Sequence, residues 1–280
     1  MLRWQIGDVR ITRVQELEAP GLSWLLPDAT VENLKGIDWI GPFVDADGKP
    51  VASVHALVLE APGCTVVVDT CVGNDKERSI PFWSGLQTRF LEDLEAAGPG
   101  VAAVDAVVCT HLHIDHVGWN TRLVDGRWEP TFPNARYLLG RTEWEHWSAE
   151  GDADTQQILA DSVRPVFDAD QVDLVESDHR VCDEIRLEPT PGHTPGHVSV
   201  RVSSRGEEAI ITGDLMHHPS QIAHPEWCAI VDSDREQALD TRRGFIERCA
   251  DAPTLIIGTH FAGPTAGRIV RDGEVYRLDV

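Results

Sequence analysis

Four residues that can bind a transition metal lie close together in the middle of the chain: His111, His113, Asp115 and His116. In an extended backbone His111 and His113 lie on one side, about 7 Å apart, and imidazoles can converge from that spacing onto one ion. Asp115 and His116 follow, and their side chains can turn toward a second ion beside the first. A merely solvated polar loop gives no reason for three imidazoles to cluster, so the segment predicts a metal site.

Three later segments offer further candidate ligands. His193 lies among turn-forming residues, Asp214 follows an apolar run, and His260 follows another. Taken singly, each signal is weak. A strand-end Asp is more often a cap or turn residue, and a lone His is more often a core or surface group.

The elements that must position these residues are short apolar runs of strand-like composition, separated by turn signals. We predict strands at 9–14, 54–59, 65–68, 104–109, 137–139, 185–187, 198–202, 209–212 and 255–257. Asp-Gly pairs at 47–48, 125–126 and 272–273 predict hairpin turns. Helical spacing predicts helices over 86–97, closed by Gly98, and over 239–249 after a cap at Ser233. The fold class is therefore α/β, with the candidate ligands at strand ends, where such folds place chemistry.

Composition narrows the function classes. The 280 residues are 42% hydrophobic and carry 24 basic against 46 acidic residues, a net charge of −22 that disfavours nucleic acid and anionic lipid as partners. Charged residues interrupt residues 1–18, and no apolar stretch is long enough to span a membrane. We expect one soluble, cytoplasmic domain over residues 1–280, with a small-molecule substrate. Its cysteines are expected to be reduced. The sequence does not specify the oligomeric state, although a homodimer is the commonest assembly.

The motifs, taken in order, resemble the metallo-β-lactamase superfamily. They are His-x-His-x-Asp-His at 111–116, Gly-His-Thr at 192–194, Gly-Asp at 213–214 and Gly-Thr-His at 258–260. The resemblance covers about residues 50 to 262. Chain length, the long segment before the first motif and Asp214 most resemble the lactonase and methyl parathion hydrolase-like branch. The resemblance implies a four-layer αββα sandwich with the site along one edge of its paired sheets.

The resemblance also implies a ligand set for two metal ions. One ion would be bound by His111, His113 and His193, the other by Asp115, His116 and His260, and Asp214 would bridge them. Five imidazoles and two carboxylates suit zinc, and they also tolerate manganese, iron or cobalt. Two ions roughly 3.5–4 Å apart can share a hydroxide and stabilise a developing oxyanion.

We therefore predict a two-zinc hydrolase that uses a bridging hydroxide to open a lactone or hydrolyse a related small ester. Asp214 and Asp115 are its candidate catalytic residues, and Asp115 or a metal-bound water is a candidate proton donor to the leaving group. Alternatives are a β-lactamase, an organophosphate hydrolase or a glyoxalase II-like thioesterase. The commonest zinc β-lactamases have a cysteine where Asp214 stands. A mononuclear iron sulfur dioxygenase and a metal-binding scaffold without catalysis are less favoured.

Several residues around the motifs have two interpretations. Asp69 is expected to support a metal-bound histidine, and His197 to be a supporting or core residue rather than a ligand. His217 and His218 could line the pocket or lie on the surface. Cys71 and Cys109 are expected to pack as small apolar residues. Five aromatic residues could be core or pocket wall: Trp24, Trp39, Phe43, Phe82 and Trp83.

Overall fold

The structure is a computed structural model and describes residues 1–280. Its strands, in chain order, are β1 (Arg3–Ile6), β2 (Val9–Pro20), β3 (Val51–Ala61), β4 (Cys64–Val68), β5 (Ala106–Cys109), β6 (Thr121–Val124), β7 (Arg127–Pro130), β8 (Arg136–Gly140), β9 (Val172–Val175), β10 (Ile185–Pro189), β11 (Val198–Ser204), β12 (Glu207–Ile211), β13 (Leu255–Ile257), β14 (Ala266–Asp272) and β15 (Val275–Asp279).

The α-helices are α1 (Val31–Leu34), α2 (Phe90–Ala97), α3 (Arg141–Ala149), α4 (Ala153–Ile158), α5 (Arg164–Asp168), α6 (Ser220–Ala223) and α7 (Arg235–Cys249). A π-helical turn (Leu159–Val163) joins α4 to α5, and short 3₁₀ turns occur in the connecting segments. None of the helices combines the length and apolar composition needed to cross a membrane.

Two sheets carry the fold. The first has seven strands in the order β1-β2-β3-β4-β5-β8-β9, and the second has six in the order β10-β11-β12-β13-β14-β15. Strands β4, β5, β8 and β9 run parallel to one another, as do β12 and β13, and the other neighbouring strands pair antiparallel. Because parallel neighbours end at the same edge, the residues that follow β4 and β5 lie together, as do those that follow β12 and β13.

Alternating side chains place the sheets between two helical layers. Val66 and Val68 of β4 join the core between the sheets, which also contains Ile211 of β12. Val67 points the other way, into a core shared with α2, and Ile210 packs on the opposite side against residues of α7. Strands buried on both faces give such apolar runs. This arrangement confirms the predicted αββα sandwich.

All nine predicted strands are present, although their ends differ from the predicted ones, most of all in β2, which continues beyond residue 14 to Pro20. The pairs at 125–126 and 272–273 join hairpins, β6 to β7 and β14 to β15. The pair at 47–48 also lies in a turn, but one isolated antiparallel bridge between Val44 and Pro50 closes it, so no two-strand hairpin forms there. The predicted cap of α7 was wrong by one residue, because the side chain of Asp234, not that of Ser233, accepts the N–H of Gln237 at 3.0 Å.

Candidate metal centre

Strand ends from both sheets bring the candidate ligands together. In the first sheet, Asp69 follows β4 and the segment 110–116 follows parallel β5. In the second, Asp214 follows β12 and His260 closely follows parallel β13. His193 comes from the loop between β10 and β11. The site therefore lies at one edge of the paired sheets, as the resemblance implied.

The structure gathers all seven predicted residues into two adjoining groups, in each of which the candidate ligand atoms lie within 4.8 Å of one another. The first group is His111, His113, His193 and Asp214. The second is Asp115, His116 and His260. The six residues other than Asp214 divide between the groups as the resemblance implied, and Asp214, expected as the bridge, is grouped here with the first set.

The Asp214 carboxylate faces both groups, one oxygen to each. Its Oδ2 lies 3.7 Å from Nε2 of His111 and 3.3 Å from Nε2 of His193. Its Oδ1 lies 3.3 Å from Nε2 of His116 and 3.0 Å from Nε2 of His260. A carboxylate placed in this way can share its oxygens between two cations.

The chemistry of the site fits divalent metal ions. Nε2 of His111 and Oδ1 of Asp214 are buried without a hydrogen-bond partner, an arrangement that costs free energy unless a cation or proton satisfies them. Nδ1 of His113 also lies 3.0 Å from Nε2 of His193. Imidazole and carboxylate ligands without a thiolate suit zinc and neighbouring divalent metals.

Charge differs between the two groups. Burial disfavours a charge on His116 and His260, but Asp214 and the other nearby carboxylates outweigh burial. The pKa of His116 is therefore raised well above its usual value, and that of His260 is raised to about 9. Burial also disfavours the Asp214 carboxylate, yet the surrounding imidazoles, His116 first, hold its pKa well below the usual range.

The three histidines of the first group favour the neutral form. Burial lowers the pKa of His111 well below its usual value, that of His113 to about 3 and that of His193 to about 4. Neighbouring imidazoles contribute in the same direction, whereas Asp214 opposes the shift. A neutral imidazole is the form that binds a metal, so this group is ready for an ion at neutral pH.

Two buried carboxylates orient histidines of the site from behind. Asp69 Oδ2 lies 2.9 Å from Nδ1 of His116, and Asp69 Oδ1 accepts the Thr110 N–H at 2.8 Å. These contacts fit the supporting role that the sequence predicted for Asp69. Asp232 does the same for His193, with Oδ1 2.9 Å from Nδ1. Asp232 lies in a loop without a recognisable motif, so its role could not be predicted from the sequence.

The other histidines near the motifs differ in their surroundings. His197 is buried; its Nδ1 bonds Thr190 and its Nε2 accepts the Asp214 N–H at 2.8 Å, so it supports the Asp214 backbone. His217 and His218 are both buried, which excludes the surface alternative. His218 bonds the Phe43 carbonyl at 3.0 Å, away from the site.

His217 faces the site. Its ring stacks on that of His260, with centroids 5.7 Å apart and planes 1° from parallel, and its Nε2 lies 3.2 Å from Asp214 Oδ2. Neither ring nitrogen of His217 makes a hydrogen bond. His217 is therefore a polar group available to a bound molecule.

A cavity of about 580 Å³ opens beside both groups and is lined by His113, Asp115, Asp214, His217 and His260. Most of its remaining wall is apolar. Of the five aromatics considered from the sequence, three line the cavity: Trp24, Phe82 and Trp83. Phe43 is core, and Trp39 packs against the same core.

Cys71 and Cys109 are buried, and neither belongs to a ligand group. Burial raises the pKa of both thiols, which disfavours the thiolate that would bind a metal. Both pack in the core between the first sheet and its helices. The prediction for these two cysteines is confirmed.

Comparison with known proteins places the fold in a family. The family model described as the metallo-beta-lactamase superfamily matches residues 50–248. An N-acyl homoserine lactonase of Bacillus sp is 28% identical over 98 residues, which cover 35% of this chain and 32% of that protein. The chain thus spans about a third of the length of the curated relatives it matches.

Solved structures resemble the whole chain. AidC, a dizinc quorum-quenching lactonase in complex with its product, gives a TM-score of 0.81 at 20% identity, over 99% of this chain and 96% of that chain. The hydrolase AbOPH of the beta lactamase superfamily also gives 0.81, at 24% identity and the same coverage. At such identities these likenesses show the fold.

Proposed function

The chain belongs to the metallo-β-lactamase superfamily, and from that premise we propose that it is a two-zinc hydrolase that opens a lactone or hydrolyses a related small ester. The observation that carries the proposal is the Asp214 carboxylate, which faces one histidine group with each oxygen. The adjoining cavity gives a substrate access to both groups.

His111, His113 and His193 would hold one ion, Asp115, His116 and His260 the other, and Asp214 both. When bound, two such ions supply hydroxide as the nucleophile near neutral pH and stabilise the negative charge that develops on the substrate oxygen. Because the ligands come from both sheets, we further propose that residues 1–280 act as a single hydrolase domain.

The protein's own residues position the reactants. Asp69 and Asp232 keep the ligand rings in the orientation that presents Nε2 to the site. His217 would donate a hydrogen bond to a substrate oxygen, because its ring nitrogens make no hydrogen bond within the protein and it lines the cavity. Asp115, which also lines the cavity, is the candidate for returning a proton to the leaving group.

The cavity favours an uncharged substrate with an apolar substituent. Apart from the candidate metal ligands Asp115 and Asp214, Glu18 is the one acidic residue of its lining, which contains no lysine or arginine. A β-lactam antibiotic or a glutathione thioester carries a carboxylate that such a wall does not pair. A lactone with an acyl chain, such as those named for the lactonase relatives, is neutral and could lay its chain against Trp24 and Phe82.

The test combines metal analysis with a substrate panel. Protein purified without chelator is analysed for metal content and then assayed with N-acyl homoserine lactones, aryl esters, phosphotriesters, thioesters and β-lactams. We expect two divalent ions per chain, and kcat/KM for a lactone or ester at least tenfold above that for every β-lactam, a difference of ~1.4 kcal/mol.

Two results would contradict the proposal. One is a metal content of one ion or fewer that added zinc, cobalt or manganese does not raise. The other is a β-lactam hydrolysed tenfold more efficiently than the best ester.

A further inference from the structure

We propose that Glu143 is the positioning residue of the first group and that it controls the metal affinity of that group without affecting the second. The inference rests on the proposed two-metal function. Glu143 lies in α3, outside every motif, and its side chain is 1% exposed. It contacts none of the seven candidate ligands through hydrogen bonds, so any effect on the metals must pass through the loops that carry them.

Three N–H groups converge on the Glu143 carboxylate. Oε1 accepts the backbone N–H of Leu112 at 3.2 Å and the indole N–H of Trp147 at 2.6 Å. Oε2 accepts the backbone N–H of Gly196 at 2.9 Å. All three partners are donors, so only a group with two acceptor oxygens satisfies them.

These bonds join the two loops that supply the three histidines of the first group. Leu112 lies between His111 and His113, and Gly196 lies in the loop of His193. The Trp147 indole also packs against the His113 imidazole, with ring centroids 5.1 Å apart. One carboxylate therefore sets the distance between the two loops and the placement of the His113 ring.

Close backbone packing strengthens this connection. A Cβ on Gly196 would lie 2.4 Å from the Glu143 backbone nitrogen and 2.8 Å from its Cα. The loop of His193 can therefore rest directly on the first turn of α3 only because residue 196 has no side chain. Both the hydrogen bond and the glycine hold the loop in place.

The second group has its own support. His116 is oriented by Asp69, and Nδ1 of His260 bonds the Ser53 carbonyl at 2.9 Å. Neither contact involves α3. A change at Glu143 should therefore reach one group and spare the other.

The experiment measures both metal dissociation constants by competition with a chromophoric chelator. Comparison of the wild-type protein with the His193→Asn and Asp115→Asn variants identifies which constant belongs to each group. Glu143→Gln keeps the size of the side chain but replaces one acceptor oxygen with an NH₂ donor. Glu145→Gln, an exposed position on the same helix, is the matched control for charge.

We expect Glu143→Gln to weaken the constant assigned to the His193 group by about tenfold or more, with less than a twofold change in the other constant. Saturating zinc should restore kcat with KM unchanged, because Glu143 does not touch substrate. The cobalt-substituted protein should show a changed visible spectrum for the same group. Glu145→Gln should match the wild type in every measurement.

Gly196→Ala provides a second variant in case Glu143→Gln folds poorly. It leaves the carboxylate in place and displaces the loop, so it should weaken the same constant. Suppose that the wild type binds two ions and the variant is folded. If the variant then weakens both constants equally, or neither, the role proposed for Glu143 is overturned while the proposed function stands. A wild type that does not bind two ions would overturn the proposed function and this inference together.

Discussion

Asp232 lies with its Oδ1 2.9 Å from Nδ1 of His193, on the side of the ring opposite Asp214. A carboxylate in this position accepts the Nδ1–H and so selects the tautomer whose Nε2 has a free lone pair. Asp232 is itself held by the Ala229 N–H at 3.0 Å and lies 3.6 Å from Arg242. A rigid chain of contacts thus orients a candidate metal ligand.

Replacing Asp232 with Ala should weaken zinc binding by about 10- to 100-fold, because His193 loses the partner that fixes its tautomer and orientation. The measurement is a chelator competition at constant pH. Asp240→Ala is the matched control, since Asp240 is an exposed aspartate in the nearby α7. An affinity equal to that of the control would show that the Asp232 contact does not govern metal binding.

Asp214→Ala should cost more activity than His197→Ala. The first change removes the group that faces both histidine groups, and the second removes only the acceptor of the Asp214 N–H. We expect losses in kcat/KM of roughly a hundredfold or more and about tenfold, respectively, at saturating metal. Comparable circular dichroism spectra would establish that both variants are folded. Equal losses would mean that Asp214 does not act as the bridge.

The ligands and their supports differ in how far sequence alone could predict them. His111, His113, Asp115 and His116 are neighbours in the chain, so their spacing carries the signal by itself. Asp232 and its partner His193 are 39 positions apart, and neither lies in a regular element that fixes their distance.

The same reason explains why Glu143 could not be predicted. It is 31 positions from Leu112 and 53 from Gly196, and its role follows from how α3 packs beneath two loops. In the helical pattern it is only one more acidic residue. The role of Asp69 could be predicted, because Asp69 directly follows a strongly apolar strand and the family resemblance assigns an acid to that place.

The two histidine groups should respond differently to pH when they bind metal. In the metal-free protein the pKa of His260 is raised to about 9 and that of His116 is also raised, so both hold a proton at pH 7 that an ion must displace. The affinity of their group should therefore rise at least about tenfold per pH unit between roughly pH 6 and 8.

The first group should show little such dependence, because its lowered pKa values leave its histidines already neutral in this range. Stepwise zinc titrations at several pH values, with the group assignments made by His193→Asn and Asp115→Asn, test both expectations. Two constants with the same pH slope would contradict the difference in protonation between the groups.

His217→Phe should lower the activity without lowering metal affinity. The phenyl ring keeps the stack on His260 but has no nitrogen for a substrate oxygen, so we expect a loss of about tenfold to a thousandfold in kcat/KM. The metal content should remain that of the wild type. His218→Gln, at a buried neighbour outside the cavity, controls for disturbance of the segment. Loss of an ion in His217→Phe would instead identify His217 as a ligand.

The apolar wall should select for the length of the substrate's acyl chain. Trp24 and Phe82 line the cavity while remaining 47% and 63% exposed, so a bound chain would cover surface that water otherwise contacts. Burying one methylene contributes up to about 0.8 kcal/mol, and the open position of these rings reduces that value. Trp24→Ala and Phe82→Ala should therefore raise KM for a decanoyl lactone several-fold while leaving a butanoyl lactone within about twofold of the wild type. Because neither residue belongs to a candidate ligand group, the kcat for the short substrate should not change.

Steady-state kinetics on a series of chain lengths measures the effect, and Leu123→Ala, at an exposed apolar residue of β6 outside the cavity, is the control. Equal effects on short and long chains would show that the substituent does not lie against this wall.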